Sequence, residues 1–211
     1  IRRTEAVRSV VLGIGVGLIG CGAVGPLARV YTKEVLDAWS AGICLLMTGL
    51  GTGAAIGVLA LSIAARRLPT EPVFVATLFG SGIGLVLATA VSDLVLAVVL
   101  SGVFGLFAGT CYVSGFTVIQ ERVDDALRGR MFATLYTIIR FCLLLSLAVS
   151  PWMASLLDSL SGALFDDRVI DVAGMSIHLP GVRLTFWLGG LMTILAGLVV
   201  SRDMLRGRGR E

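Results

Sequence analysis

Charged residues are scarce in this chain, and their scarcity excludes most soluble functions. Asp, Glu, Lys and Arg make up 15% of the 211 residues, whereas hydrophobic residues make up 56%. A water-soluble globular domain has about 25% charged residues and about 45–50% apolar ones. The net charge of +3 is spread over several short segments, so it gives no sign of a nucleic-acid interface. The composition therefore excludes an ordinary soluble enzyme and indicates a membrane protein.

The residue types that usually carry catalysis or bind metals are also few. The single histidine, His178, stands alone, and the four cysteines have none of the spacings of a metal site. The cysteines are Cys21, Cys44, Cys111 and Cys142. No Gly-x-x-x-x-Gly-Lys-Ser/Thr loop occurs, and the apolar runs hold neither a Ser/His pair nor paired carboxylates. We therefore predict no metal, no cofactor, no disulfide and no catalytic residue within this chain.

What the chain does contain is six long apolar runs. They cover about residues 9–28, 42–64, 73–91, 94–119, 131–157 and 184–200. A bilayer core about 30 Å thick needs about 20 mostly apolar residues per helical span. Each run must be helical, because lipid offers no partner to a free backbone amide, and none alternates in polarity as a barrel strand would. We predict an all-α membrane protein in which residues 1–211 form a single six-helix transmembrane domain, with residues 158–183 as its sizeable outer segment.

The basic residues predict which side of the membrane each loop faces. Twelve of the 17 lie at the N-terminus, after spans two and four, and in the C-terminal tail. Four lie in the segments on the other side, and Arg140 lies inside span five. Short cytoplasmic segments carry the excess of Lys and Arg. Both termini are therefore predicted to be cytoplasmic, which agrees with an even number of spans.

Glycines recur at four-residue spacing in the spans and predict close helix packing. The positions in spans two and four are Gly49, Gly53, Gly57, Gly105 and Gly109. Small residues four apart share one helix face and let a second backbone approach. Tight static packing is one interpretation. The other is that these smooth faces let helices slide or rock during function.

Arg140 is the most informative single position. It lies about 14 Å along the helix from Met131, close to the middle of the bilayer. A charge at this depth costs at least about 2.5–3.5 kcal/mol, so it needs a partner or a water-filled cavity. The spans contain no acidic residue at that depth. The partner is then a group of carbonyls in a structural role, a substrate anion, or an acid from outside the chain.

Other polar residues of the spans are candidates for lining a transport path with Arg140. They are Tyr136, Thr137, Tyr112, Ser114 and, at the outer end of span one, Arg29. Most such groups make hydrogen bonds between helices, and an arginine at a span end usually extends to the headgroups.

The loop from Gln120 to Arg130 carries charges of both signs where two spans meet on the cytoplasmic side. Its candidate gate residues are Glu121, Arg122, Asp124, Asp125, Arg128, Gly129 and Arg130. Such charges can form ion pairs that hold two helix bundles together on one side. The pair Asp124–Asp125 can cap a short helix that leads into span five. A solvated positive loop is the alternative interpretation.

Several strings resemble one transporter family. Leu127–Ala133 resembles the loop between helices ten and eleven of major facilitator superfamily transporters of the drug-efflux branch, and Gly22–Leu27 is similar to their helix seven. The whole chain then resembles the C-terminal six-helix half. More narrowly, Leu135–Leu145 and Leu179–Leu184 resemble bacterial members that are fused to a thymidylate kinase domain.

The resemblance implies half of a secondary transporter that exports small amphipathic molecules by alternating access. It also implies a bacterial inner membrane, an N-terminal six-helix half as partner, and proton antiport through that half. Spans one, two, four and five would then face the central cavity, with Arg140 projecting into it. The chain departs from the family in the short stretch Ala64–Pro69, which replaces a longer motif, and in lacking a membrane acid for proton coupling.

A different class of function stays open beside transport. The chain could be a non-transporting membrane module that anchors or regulates a fused enzyme such as a thymidylate kinase. The two hypotheses differ at Arg140. A cavity around this arginine favours transport, whereas burial among carbonyls favours a structural module.

Overall fold

The computed structural model of the chain describes residues 2–36, 38, 40–64, 69–164, 169–172, 175–178 and 181–208. These residues form seven helices and one antiparallel hairpin. The helices are α1 Arg2–Gly22, α2 Val24–Glu34, α3 Ser40–Ala64, α4 Thr70–Ala90, α5 Leu94–Arg122, α6 Asp125–Leu164 and α7 Gly181–Arg208. The strands are β1 Val169–Val172 and β2 Met175–His178, and Val169 is paired with His178.

Six segments of the described helices are long and apolar enough to cross a membrane. They are Arg8–Glu34, Ala41–Ile63, Thr70–Ala90, Leu94–Arg122, Leu127–Ser159 and Gly181–Asp203. The predicted all-α fold with six transmembrane helices is confirmed, and the chain is a multi-pass membrane protein. Helices α1 and α2 together make the first span, and α3 to α7 make one span each.

The first span is divided in two toward its C-terminal end. Proline has no backbone N–H, so Pro26 cannot donate to the carbonyl of Gly22, four residues earlier. Helix α1 ends at Gly22, and the backbone turns at Ala23 before α2 begins. Ala23 keeps a helical conformation, and Leu27 N donates to its carbonyl at 3.1 Å. The division therefore interrupts hydrogen bonding without redirecting the span sharply.

The ends of two further helices differ in how closely they follow the sequence. Asp93 caps α5, because its carboxylate accepts a hydrogen bond from Leu96 N at 2.8 Å. The expected short helix before span five is not a separate element. Helix α6 begins at Asp125 and runs without a break through Pro151 to Leu164. The mixed-charge loop is consequently shorter than the sequence suggested, with Val123 and Asp124 between the two helices.

The described helices pack as two sets of three. In the first set, α5 lies between α3 and α4; in the second, α1 contacts both α6 and α7. Exchanging α1 with α5, α3 with α6, and α4 with α7 turns the main contacts of one set into those of the other. The α4–α7 contact joins the sets and is unchanged by this exchange. Each exchanged pair is three membrane crossings apart along the chain, so its two members cross the bilayer in opposite directions.

Two clusters of buried apolar side chains hold the sets together, one toward each end of the bundle. The cluster at the end with the N-terminus includes Val10, Phe74 and Val200. The cluster at the opposite end includes Leu85 and Phe186. Helix α3 contacts mainly α5, and α6 contacts mainly α1 and α7, so these two helices lie at opposite edges.

The α3–α5 contact is built on glycine. A β-carbon placed at Gly53 would collide with the carbonyl oxygen of Gly102, and one placed at Gly105 would collide with that of Leu50. The two backbones therefore touch where a larger residue would hold them apart. All five glycines singled out in the sequence lie at this contact: Gly49, Gly53, Gly57, Gly105 and Gly109. Ser101 adds a hydrogen bond across it, from Oγ to the carbonyl of Leu46 at 3.2 Å.

Candidate functional site

An aromatic cluster lies where α5 meets α6. The ring of Phe116 is 4.7 Å from that of Tyr112, 5.8 Å from that of Phe132 and 5.8 Å from that of Tyr136, measured between centroids. Tyr112 and Tyr136 are 42% and 50% exposed. Arg140 follows Tyr136 by one helical turn, so the two side chains emerge from the same part of α6. We call these five residues the α5–α6 surface.

Arg140 is exposed and makes no hydrogen bond or ion pair with any described residue. It lies three residues from the centre of the span Leu127–Ser159, or about 5 Å along the helix axis. Only a narrow stripe of α6 is buried, through Leu135, Ile139 and Cys142. Arg140 lies outside this stripe. Among the described residues of the bundle, Arg140 is therefore neither surrounded by carbonyls nor paired with an acid.

The tyrosines add unpaired donors beside the charge. The hydroxyls of Tyr112 and Tyr136 make no hydrogen bond within the described part of the chain, although each can donate one. Thr137, on the next position of α6, differs because its hydroxyl donates to the carbonyl of Ala133 at 2.9 Å. The α5–α6 surface consequently offers a guanidinium and two phenolic hydroxyls next to aromatic rings.

Two of the predicted path residues do not belong to this surface. Ser114 is fully buried, and its hydroxyl donates to the carbonyl of Cys111 on its own helix at 3.1 Å. Ser114 therefore faces the interior of the bundle, apart from the α5–α6 surface. Arg29 is exposed on α2, near the opposite end of the bundle from the aromatic cluster. The structure brings together Arg140, Tyr136 and Tyr112, with Thr137 beside them.

Two cavities inside the described bundle are each too small to hold a drug-sized molecule. One of about 50 Å³ lies between α2, α3, α4, α5 and α7 and is bordered by Tyr31. Another of about 70 Å³ lies behind Tyr112, between α1, α4, α5 and α7. Drug-sized ligands occupy pockets of about 300–1,000 Å³. An open surface such as α5–α6 is therefore the better candidate for binding, with its second wall supplied from outside the bundle.

The charges of the loop between α5 and α6 act partly within the bundle. Arg122 forms an ion pair with Glu71 in the first turn of α4. The hydroxyl of Thr70 donates to Glu121 Oε1 at 3.0 Å. Glu71 is also favoured there by the partial positive charge of the helix N-terminus. Glu121 and Arg122 thus join α5 to α4, rather than standing free to bind a second bundle.

The remaining loop residues are more open. Arg128 pairs with Asp125 at 2.8 Å and donates to the carbonyl of Gln120 at 3.2 Å. The carbonyl of Asp124 accepts from Leu127 N at 2.9 Å. Gly129 has open space where a β-carbon would stand, and Arg130 is exposed without an ion pair to any described residue. Of the predicted gate residues, Gly129 and Arg130 are thus the ones most available to an outside partner.

The sequence interpretation missed Arg183, which it counted only as an outer basic residue. Arg183 is completely buried at the start of α7. Its Nε donates to the carbonyl of Thr89 at 2.7 Å, and its Nη2 donates to the carbonyl of Val91 at 2.9 Å and to Ser92 Oγ at 3.1 Å. These carbonyls belong to the C-terminal end of α4, where the helix leaves its last acceptors unpaired. Arg183 therefore fastens the start of α7 to the end of α4.

Tyr31 of α2 completes this junction. Its hydroxyl lies 3.1 Å from the carbonyl oxygens of both Ala88 and Val91, to which it donates. Its ring packs edge-on against Phe186 at 5.6 Å. The acceptors of Arg183 and Tyr31 lie on another span, so no pattern near either residue in the sequence marked this junction.

Among the described residues, no group of three or more His, Cys, Asp or Glu side chains could hold a metal ion. Comparison with known proteins found no match, either to a family model or to a curated protein.

Proposed function

We propose that this chain is one six-helix half of a secondary transporter that exports small amphipathic molecules by alternating access. The proposal includes the orientation with both termini in the cytoplasm of a bacterial inner membrane. Ion coupling, as an antiporter, would then depend on a second half outside this chain. The resemblance to the major facilitator superfamily, in its drug-efflux branch, is part of this proposal.

The pattern of helix contacts is the observation that carries it. When α1 is exchanged with α5, α3 with α6, and α4 with α7, the α1–α7 contact becomes the α4–α5 contact. The α1–α6 contact becomes the α3–α5 contact in the same way. The half-bundles of major facilitator transporters are built from three-plus-three inverted repeats, and substrates bind between the bundles near the bilayer midplane. The exchange is imperfect among the described helices, because α6 contacts α7 and α1 contacts α4, whereas the pairs α3–α4 and α5–α7 have no comparable contact.

The open face of α3 also supports a missing partner. Cys44, Thr48, Gly51 and Ala55 are all exposed and follow one another at spacings of four, three and four residues. A β-carbon at Gly51 would meet nothing within 4 Å. Small and hydroxylated residues let a second helix pack closely and form hydrogen bonds, whereas they offer no such contacts to lipid tails. This face therefore suits a helix from a second bundle better than it suits lipid.

The exposure of Arg140 favours transport over a purely structural module. A structural arginine should be buried among carbonyls, and Arg183 has those properties. Arg140 does not, because it is exposed near the middle of its span with no partner among the described residues. A charge in that position needs water, a ligand or a partner. This favours a cavity between two halves over a module that only anchors an enzyme.

Export by the full-length protein tests the proposal. Inverted membrane vesicles with an imposed proton gradient would be given a panel of amphipathic dyes, with wild type, Arg140→Ala and Arg140→Lys at matched expression. We expect gradient-dependent flux that Arg140→Ala abolishes and Arg140→Lys partly keeps. Absence of any gradient-dependent flux in the wild type, across the panel, would argue against a transporter.

Labelling of single cysteines tests for the cavity independently of substrate. In a cysteine-free background, Tyr136→Cys should react with a membrane-impermeant maleimide from at least one side of the membrane. Phe141→Cys is the matched control, because it is exposed about 140° around the same helix and is expected to face lipid. Equal resistance of both positions to the reagent would place Tyr136 against lipid and favour the anchoring module.

A further inference from the structure

The charge of Arg140 has no counterpart at its depth. Along α6 the nearest acids are Asp125 and Asp158, about 22 and 27 Å away by helical rise. In the other described helices, every Asp and Glu lies within two turns of a helix end. Attraction between charges is strong in a medium of low dielectric constant. Whatever binds beside Arg140 at mid-membrane is therefore selected for negative charge.

The surroundings of Arg140 define the rest of such a ligand. Tyr112 and Tyr136 present hydroxyl donors without partners among the described residues, and no carboxylate of those residues accompanies them. The ring of Phe116 packs against both tyrosine rings and is stacked on the ring of Phe132. Aromatic faces favour flat apolar groups, and a guanidinium with nearby hydroxyls favours an oxyanion. The complementary molecule is amphipathic, with an aromatic body and one acidic group.

A lipid headgroup does not fit this position. The hydrocarbon core is about 30 Å thick, so headgroups lie about 15 Å from the bilayer centre, whereas Arg140 lies about 5 Å from the centre of its span. A substrate that enters a cavity between two bundles reaches that depth, because binding sites of secondary transporters lie near the midplane.

We infer that the α5–α6 surface binds amphipathic anions, with Arg140 donating hydrogen bonds to the carboxylate or sulfonate and Tyr112 and Tyr136 flanking it. This inference rests on the proposed transport function and specifies its substrate class. It differs from a preference for cationic or neutral amphiphiles, for which a bare guanidinium would be repulsive or indifferent.

Three dansyl compounds that differ in charge test the inference by equilibrium binding. Dansylglycine carries a carboxylate, dansylamide is neutral and dansylcadaverine is cationic. Fluorescence titration of the full-length protein in nanodiscs should show dansylglycine binding at least about tenfold more tightly than dansylamide, as a charged hydrogen bond allows. Dansylcadaverine should bind most weakly.

Variants connect the preference to Arg140. Arg140→Ala should abolish the difference between dansylglycine and dansylamide, and Arg140→Lys should keep part of it. Arg202→Ala is the matched control: this arginine is exposed near the end of α7, and its removal should leave the preference intact. If Arg140→Ala does not fold, Arg140→Gln keeps a polar side chain and serves the same comparison.

The outcomes separate this inference from the proposed function. A wild-type preference for the cation, equal binding of all three, or no binding would overturn the inference. An unchanged preference in Arg140→Ala would also overturn it, because the selectivity would then come from another part of the protein. Tight dansylglycine binding without gradient-driven export would support the anion site and contradict the transport cycle. Export of neutral dyes that is unaffected by Arg140→Ala would support the transport cycle and contradict the anion site.

Discussion

Replacement of Arg183 should destabilise the bundle more than replacement of any exposed arginine. Arg183 donates hydrogen bonds to two carbonyls and a hydroxyl at the C-terminal end of α4 while being completely buried. Arg183→Ala removes these donors and leaves the carbonyls of Thr89 and Val91 without them. It also leaves a void where the side chain had packed beside Tyr31.

The size of the effect follows from these contacts. A hydrogen bond from a charged group contributes about 1.5–3 kcal/mol, but water or neighbouring donors recover part of what is lost. A buried acceptor left unsatisfied costs about 1–3 kcal/mol, so the two carbonyls together put the loss at about 3–5 kcal/mol. For a domain of this size, 1 kcal/mol shifts Tm by about 2–4 °C. We therefore expect Arg183→Ala to lower Tm by about 6–20 °C, and Arg183→Lys by less.

The cysteines of the chain provide the assay. Cys111 and Cys142 are buried, so a thiol-reactive fluorogenic dye reports their exposure as the purified protein is heated in detergent. Cys44 is exposed and would react before unfolding, so a Cys44→Ala background removes that signal. The matched control is Arg29→Ala, which removes an exposed arginine from the same end of the bundle and should shift Tm by less than about 2 °C.

One result would refute the reasoning. If Arg183→Ala melts within about 2 °C of the Arg29→Ala control, the buried junction contributes little, and the hydrogen bonds to α4 are replaced without loss. Tyr31→Phe offers an independent reading of the same junction. It removes one hydroxyl shared between two carbonyls, so a loss of about 1 kcal/mol is expected.

Two further perturbations test the contacts within the bundle. Gly53→Ala should destabilise the bundle by more than about 1 kcal/mol, because the added carbon collides with the carbonyl of Gly102. Gly25→Ala is the control, because its added carbon enters open space and should not destabilise the bundle. Equal melting temperatures of the two variants would exclude a tight α3–α5 contact. Glu71→Gln should cost about 0.5–1 kcal/mol through loss of the partly exposed ion pair with Arg122, and the cost should fall at high salt. A double-mutant cycle with Arg122→Gln gives the pair energy, and a coupling of zero would contradict the pairing.

The transmembrane helices were predictable because a bilayer imposes length and polarity on each span. A run such as residues 94–119 has no other stable conformation in lipid, so composition alone is enough to predict α5. The end of α1 at Gly22 followed less directly, from the missing donor of Pro26. By contrast, the absence of a separate helix before span five depends on whether Asp125 starts a short or a long helix. Local capping signals do not decide that.

The candidate site was only partly predictable, because sequence distance does not reveal which side of a helix is covered. Arg140 and Tyr136 share a face by spacing alone, so their association was accessible. Ser114 lies two residues after Tyr112, and this places it about 200° around α5, in the buried interior. The role of Arg183 depends on carbonyls of Thr89 and Val91, more than 90 residues away in sequence. No pattern within span six could have indicated them.

The distribution of fixed and open contacts constrains how such a bundle can move. At one end Arg183 ties α7 to α4, and at the other Arg122 ties α5 to α4. Ser9 adds a hydrogen bond to Asp203 at 2.8 Å, which joins α1 to α7. Sliding of α3 along α5 would drive backbone atoms into each other at Gly53, so the glycine faces favour fixed packing over sliding. If the protein alternates between two states, the movement should therefore occur between this bundle and its partner, across the face that carries Arg140, with the six helices moving as one body.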